Sequence, residues 1–166
     1  DNNEDMNLNS PLLHELLEYE LQDEIKNDDK DKDNDSNKVN DKNITSIHCH
    51  NASINSVSTF PSGNIISTSD DKSIIIYDIF FNILQYIQNA HDNVINYVEI
   101  KDENNFITCS FDKSIKSWNK NNNEFKINKI IKNAHDDVIM KVIYCSDNNL
   151  ISCSYDKTIK IWKENN

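Results

Sequence analysis

The sequence predicts an all-β fold built from three repeated antiparallel units, and three observations carry that prediction. From Asn43 onward, short runs rich in Ile, Val and aromatic residues alternate with polar turns, the pattern of half-buried strands joined by tight connections. The segment Asn89-Ala90-His91-Asp92-Asn93-Val94-Ile95 is nearly copied by Asn133-Ala134-His135-Asp136-Asp137-Val138-Ile139, 44 residues later. Two spacings stay fixed across three copies. His50 to Asp71, His91 to Asp112 and His135 to Asp156 are each 21 residues, and each Asp lies 6 residues before an aromatic: Tyr77, Trp118 and Trp162. Chance does not hold two spacings through three copies. A structural repeat does, because each unit must set the same side chains on the same strands.

Ahead of the repeats the chain changes character. Residues 10–26 read as a short amphipathic helix: Ser10 caps it, Pro11 suits its first position, and Leu13, Leu17, Leu21 and Ile25 recur every four residues. Such a helix either packs loosely on the rest of the chain or frays in solvent, or else it docks into a partner's groove. Residues 27–42 are nearly all polar or charged and cannot bury enough apolar surface to fold alone, so a disordered linker is expected there. Residues 1–42 hold 14 acidic and 5 basic side chains, so −9 of the chain's −11 net charge sits in this tail.

Composition excludes several classes of function. The chain has no Arg and its Lys are scattered, which argues against direct binding of nucleic acid, where clustered cations must displace counterions. No run of 18 apolar residues exists, so no membrane-spanning helix is expected. Cys49, Cys109, Cys145 and Cys153 follow no short-loop disulfide framework. They read as free thiols of a reducing intracellular compartment, the cytoplasm ahead of the nucleus. Gly occurs once and Asn 28 times. Asn tolerates positive φ and is expected in turns where Gly serves elsewhere, although a biased genome yields the same excess.

The segments Cys109-Ser110-Phe111-Asp112-Lys113-Ser114-Ile115-Lys116 and Cys153-Ser154-Tyr155-Asp156-Lys157-Thr158-Ile159-Lys160 stand in register, and Ser69-Asp70-Asp71-Lys72-Ser73-Ile74 is a third copy. A His, a β-branched strand, a small-residue strand ending in Ser-x-Asp and then Thr/Ser-Ile-x-x-Trp resemble the WD40 repeat. The resemblance covers residues 43–163, with Ala90, Ala134 and Cys49 where that family has Gly, and Tyr77-Asp78, Trp118-Asn119 and Trp162-Lys163 at the closing Trp-Asp. It implies a partial β-propeller of about three four-stranded antiparallel blades, with repeats at 43–79, 83–119 and 125–163 inside a repeat region running to 166. Each repeat then has strands d, a, b and c, with d completing the previous blade. Strand d is expected at 44–49, 83–88 and 125–132, and strand a at 54–60, 95–100 and 139–144. Strand b is expected at 65–69, 106–110 and 150–154, and strand c at 73–79, 114–119 and 158–163. Three blades are too few to close a ring, so further repeats beyond Asn166 are expected in the parent protein, with uncovered apolar faces on the outer blades.

The same resemblance implies a buried hydrogen-bond set in each blade. It joins His91, Asp112, either Thr108 or Ser110, and Trp118. In the next blade it joins His135, Asp156, either Ser152 or Ser154, and Trp162. In the first blade it joins His50, Asp71, either Ser67 or Ser69, and Tyr77. The resemblance further places partner-binding residues on one face: Asp70, Phe111 and Tyr155 before the turn Asp, and Ser53, Asn55, Val94, Asn96, Val138 and Met140 after the His.

Recurring His, Ser and Asp invite a nucleophilic-triad reading. Repetition argues against it, because one active site needs one set, whereas a buried polar lock is needed once per blade and must be paired. His48-Cys49-His50 invites a metal reading, but on a strand Cys49 points away from the two His, and zinc needs four converging ligands. Neither a catalytic residue, nor a metal, nor a cofactor is therefore expected. The expected role is a scaffold that binds other proteins. A narrower alternative comes from Ser110-Phe111-Asp112, Trp118, the Asn/Lys/Glu-rich loop and Phe125, which resemble the WD40 adaptors of cytosolic iron–sulfur protein assembly.

Overall fold

A computed structural model describes residues 46–145 and 149–163; the expected helix at 10–26 and linker at 27–42 lie outside them. The chain divides into two compact units, Asp1–Ser46 and Ile47–Asn166, and every described strand belongs to the second. The strands are β1 Ile54–Thr59, β2 Ile65–Ser69, β3 Ile74–Tyr77, β4 Ile83–Ile87, β5 Ile95–Asp102, β6 Asn105–Ser110, β7 Ile115–Asn121, β8 Glu124–Ile131, β9 Ile139–Tyr144, β10 Leu150–Ser154 and β11 Ile159–Trp162. They form three antiparallel sheets, ordered β1-β2-β3-β4, β5-β6-β7-β8 and β9-β10-β11. These are three propeller blades, each built a-b-c outward, with β4 and β8 as the outer d strands.

The repeat spacing fixes the register. Ile54 faces Ser69, Ile95 faces Ser110 and Ile139 faces Ser154, so each blade starts strand a against the end of strand b. One expected strand is corrected. Ser46–Cys49 form no strand, and residues 44 and 45 lie outside the described residues. Counting from the conserved spacing, 47–49 correspond to Gln88–Ala90 and Lys132–Ala134, the turns that lead each His into its blade. The placement of strand d at 44–49 ran too far toward the His. The third sheet has three strands among the described residues.

The core lies between blades. Ile74 and Ile76 of β3 pack with Ile95 and Val98 of β5, and Ile115 of β7 packs with Ile139 and Val142 of β9. Branched side chains suit this position because strands expose them stiffly to the facing sheet. The outer blades lack such cover. Ile159 holds the position of Ile74 and Ile115, both buried, yet is 72 % exposed. Ile161 is exposed beside it, as are Ile54 and Val57 on β1, at positions where Ile95, Ile139, Val98 and Val142 are buried.

Asn takes only part of the expected turn role. Asn89, Asn122, Asn123 and Asn133 have positive φ, but Lys72, Lys113 and Lys157 hold it at all three b–c turns, and Phe81 holds it in the β3–β4 turn. At the b–c turns the carboxylate of the preceding Asp is fixed from three sides. The turn is thus set by that lock, and a Lys accepts the left-handed backbone.

Candidate functional site

The three polar sets assemble at equivalent places between the loop that enters strand a and the turn between strands b and c. In the second blade Trp118 Nε1–H donates to Thr108 Oγ1 at 2.9 Å. The Thr108 hydroxyl faces His91 Nε2 at 2.8 Å, and His91 Nδ1 faces Asp112 Oδ2 at 2.9 Å. The ionised Asp112 carboxylate only accepts, so it accepts from Nδ1–H; Nε2 of the neutral imidazole then accepts from the Thr108 hydroxyl, which itself accepts from the indole. The third blade repeats this through Trp162, Ser152, His135 and Asp156, with contacts of 2.8, 2.7 and 2.8 Å. In the first, the Tyr77 hydroxyl takes the indole's place, 3.3 Å from Ser67 Oγ, which lies 2.7 Å from His50 Nε2. His50 Nδ1 lies 3.1 Å from Asp71 Oδ2.

The hydroxyls left open by the sequence now divide by role. Thr108, Ser152 and Ser67 meet the His. Ser110, Ser154 and Ser69 instead clamp the turn: each accepts the N–H of the turn Asp and donates to a carbonyl of the loop before strand a. Two further contributors escaped sequence reasoning, though both recur in register. Ser73, Ser114 and Thr158, two residues after each Asp, lie within 2.9–3.1 Å of the His Nδ1. Lys116 and Lys160, four after the Asp, donate to the carbonyls of Ala90 and Ala134 at 2.7 and 2.8 Å.

These contacts set the charge states. Burial alone would raise the Asp71 carboxyl, but hydrogen bonds from the Ser73 hydroxyl and the backbone N–H groups of Asn51 and Ser73 outweigh it and hold Asp71 at about 2. Asp112 and Asp156 are likewise held well below the usual carboxylate range against the effect of burial, chiefly by His91 and by Thr158 respectively. Burial lowers the His91 imidazole, with Asp112 opposing. A buried His with a lowered pKa resists the proton that the unfolded chain accepts, so stability is lost as pH falls below about 6.5. The depressed carboxyls add stability present above about pH 4 and lost as pH falls toward 2. Urea midpoints are therefore expected to fall from pH 7 to 5 and more steeply from 4 to 2.5. A midpoint flat over that range would mean that the folded and unfolded states bind the same protons.

Residues expected on one face meet in small groups. The backbone N–H groups of Asp70, Phe111 and Tyr155 donate to the carbonyls of Ser53, Val94 and Val138 at 2.9, 3.0 and 3.0 Å. Asn55 Nδ2 donates to Asp70 Oδ1 at 2.7 Å and to Ile95 O of the second blade at 3.1 Å. Asn96 Nδ2 reaches Ile139 O of the third blade at 3.0 Å and lies 3.3 Å from Met140 Sδ. The two Asn side chains thus bridge blades, and Tyr155 stands exposed while Phe111 and Met140 are half-buried.

Antiparallel blades that each lock a His, an Asp and a hydroxyl beneath an aromatic define a β-propeller repeat protein. The family model for the WD domain, G-beta repeat (WD40), matches residues 41–78, 83–119 and 127–163, and the chain belongs to this family. It is similar to Lissencephaly-1 homolog 1 of Paramecium tetraurelia, 39% identical over 80 residues, which are 46% of this chain and 19% of that protein. It is also similar to a WD repeat domain-containing protein 83 homolog of Dictyostelium discoideum, 37% identical over 68 residues, covering 40% of this chain and 21% of that protein. The matched stretches thus span about a fifth of the length of these relatives. The crystal structure of the WD40 beta propeller domain of Doa1 superposes with a TM-score of 0.63 at 22% identity, over 70% of this chain and 38% of that one. The shared fold is the propeller.

Proposed function

We propose that this chain is a non-catalytic scaffold that binds proteins on the face carrying Asp70, Phe111 and Tyr155. One observation carries the reading: a hydrogen bond in every blade ties the residue before the turn Asp to the loop before strand a, and Asn55 and Asn96 tie neighbouring blades together at that level. The side chains of Phe111 and Tyr155 therefore stand on a backbone that loses little freedom on binding, and rigid aromatic anchors give large contact area at low entropic cost. Both ring nitrogens of His50, His91 and His135 are engaged within their own blade, which keeps these three imidazoles from activating a nucleophile. The four cysteines are free thiols, which supports a reducing intracellular setting such as the cytoplasm.

The double substitution Phe111→Ala with Tyr155→Ala should reduce capture of protein partners by tenfold or more in quantitative affinity purification, as loss of central aromatic anchors does. The thermal midpoint should stay within a few degrees of the parent. Unchanged capture by a folded double variant would move the binding surface elsewhere. The narrower reading, an adaptor of cytosolic iron–sulfur protein assembly, rests on the resemblance over residues 110–125, and recovery of iron–sulfur assembly proteins in the same capture would support it.

A further inference from the structure

The turn between β3 and β4 departs from its counterpart in the next blade. Between β7 and β8 the chain turns through Asn122 and Asn123, at φ 51 and 66, flanked by Asn121 and Glu124. These residues suit solvent, and Asn accepts the left-handed backbone. The corresponding turn of the first blade reads Asp78-Ile79-Phe80-Phe81-Asn82. Phe81 N–H donates to Asp78 O at 3.1 Å, and Asp78 N–H donates to Asn82 O at 2.9 Å. Phe81 sits at φ 67, a place that Gly or Asn normally takes and where a bulky side chain is strained.

The turn is locked in that state. Asp78 Oδ1 accepts the N–H groups of Phe80 and Asn82 at 2.8 and 2.9 Å, and Oδ2 accepts Asn82 Nδ2 at 2.8 Å. Its tip is apolar and in water: Ile79, Phe80 and Phe81 are all exposed, and Phe80, at 75 %, is the most exposed large apolar side chain among the described residues. Leu84 on β4 is exposed as well. Strain at Phe81 and the exposure of Ile79, Phe80 and Phe81 are two separate costs, and they fall on the same turn.

The charge around the tip is negative. The Asn82 amide holds the Asp78 carboxyl below its ordinary value. Ile79 packs against Gly63, and the adjoining Ser62 donates its N–H and hydroxyl to Glu103 at 3.0 and 2.8 Å. Lys120, which lines the neighbouring cleft with Glu103, is turned over the Phe125 ring at 5.7 Å. An anionic lipid surface would repel such a tip, whereas a protein pocket with a basic rim would match it.

We propose that the β3–β4 turn is a second docking element, separate from the face described above, in which Phe80, flanked by Ile79 and Phe81, inserts into an apolar pocket of a partner protein whose rim carries Lys or Arg near Asp78 and Glu103. The strained turn holds the three side chains outward in advance of binding, so little freedom is lost when they are buried.

The test places a photocrosslinking side chain in the full chain as Phe80→p-benzoylphenylalanine, with Asn122→p-benzoylphenylalanine as the control turn. The expected adduct forms at 80 and not at 122, and the crosslinked partner peptide is apolar with Lys or Arg beside it. With that partner purified, Phe80→Ala should weaken binding at least tenfold, while Asn122→Gly in the control turn leaves it unchanged. Phe81→Asn should weaken binding yet raise the thermal midpoint by roughly 2–5 °C, because Asn relieves the left-handed strain. Equal adducts at both turns, or a lower midpoint for Phe81→Asn, would overturn the proposal. So would binding to phosphatidylserine vesicles, or self-association in light scattering, if either is lost with Phe80→Ala.

Discussion

Replacing Asp112 by alanine is expected to destabilise the fold by about 2–4 kcal/mol, the range for stranding buried polar partners. The carboxylate accepts from His91 Nδ1 at 2.9 Å and from the N–H groups of Asp92 and Ser114 at 3.0 and 2.8 Å. Alanine takes the acceptor from the N–H groups of Asp92 and Ser114 and leaves His91 Nδ1 only the Ser114 hydroxyl, where the His91 side chain is fully buried and that of Asp112 was nearly so. The damage extends past the pair. His91 orients Thr108, and Thr108 holds the Trp118 indole, so a loosened imidazole frees the aromatic that seals the strand-c end of the blade. Asp112→Asn retains one acceptor and should lose less. Asp156→Ala breaks the same set in the third blade and should act in the same direction. Asp70→Ala is the matching control: its carboxylate accepts from Asn55, and the change should cost less than about 1 kcal/mol. Urea unfolding of these variants settles the order, and equal midpoints for Asp112→Ala and Asp70→Ala would show that the buried set adds no stability.

Much of this was legible because spacing is a strong constraint. Two fixed intervals in three copies determine which residues face one another across β5, β6 and β7, and therefore where His91 meets Asp112. What spacing leaves open is any choice between residues two apart, which share a strand face. Thr108 and Ser110 both point to the same side, and only the curvature of the turn decides that one meets the His and the other the loop carbonyl of Asn93. The first strand d was misplaced for a related reason: Ile47-His48-Cys49 is apolar enough to read as strand, but its counterparts before His91 and His135 form turns. The Asn55 and Asn96 amides were expected on the partner face, and they also bridge blades, a contact between sheets that no single repeat encodes. The turn at Phe81 carries no Gly, and Phe is among the least expected residues at positive φ, so its backbone could not be read in advance.

Phe106→Ala should produce the largest loss of any single change considered, about 3–5 kcal/mol, the usual range for emptying a buried aromatic site. Phe106 is fully buried where the first and second blades meet. Its ring stacks on Trp118 with centroids 5.6 Å apart, lies 5.0 Å from Phe125, and meets the edge of Phe60 at 6.3 Å. The cost of such a truncation depends on how far the neighbours can relax into the void. Here they are held. The Trp118 indole is tied to Thr108, and Phe125 is stacked on Phe60 at 5.3 Å while its backbone N–H donates to the Gln85 side chain across the blades at 2.8 Å. Neither ring can move in without giving up a contact, so the cavity stays open and the loss belongs near the top of the range. Leu150 occupies the equivalent place in the third blade, where it is only half-buried, and Leu150→Ala should cost clearly less. Trp118 also reports the change directly, because losing the stacked ring alters its surroundings and should shift its fluorescence in the folded state. A Phe106→Ala variant that unfolds at the parent's urea concentration would mean that the two blades do not share this core in solution.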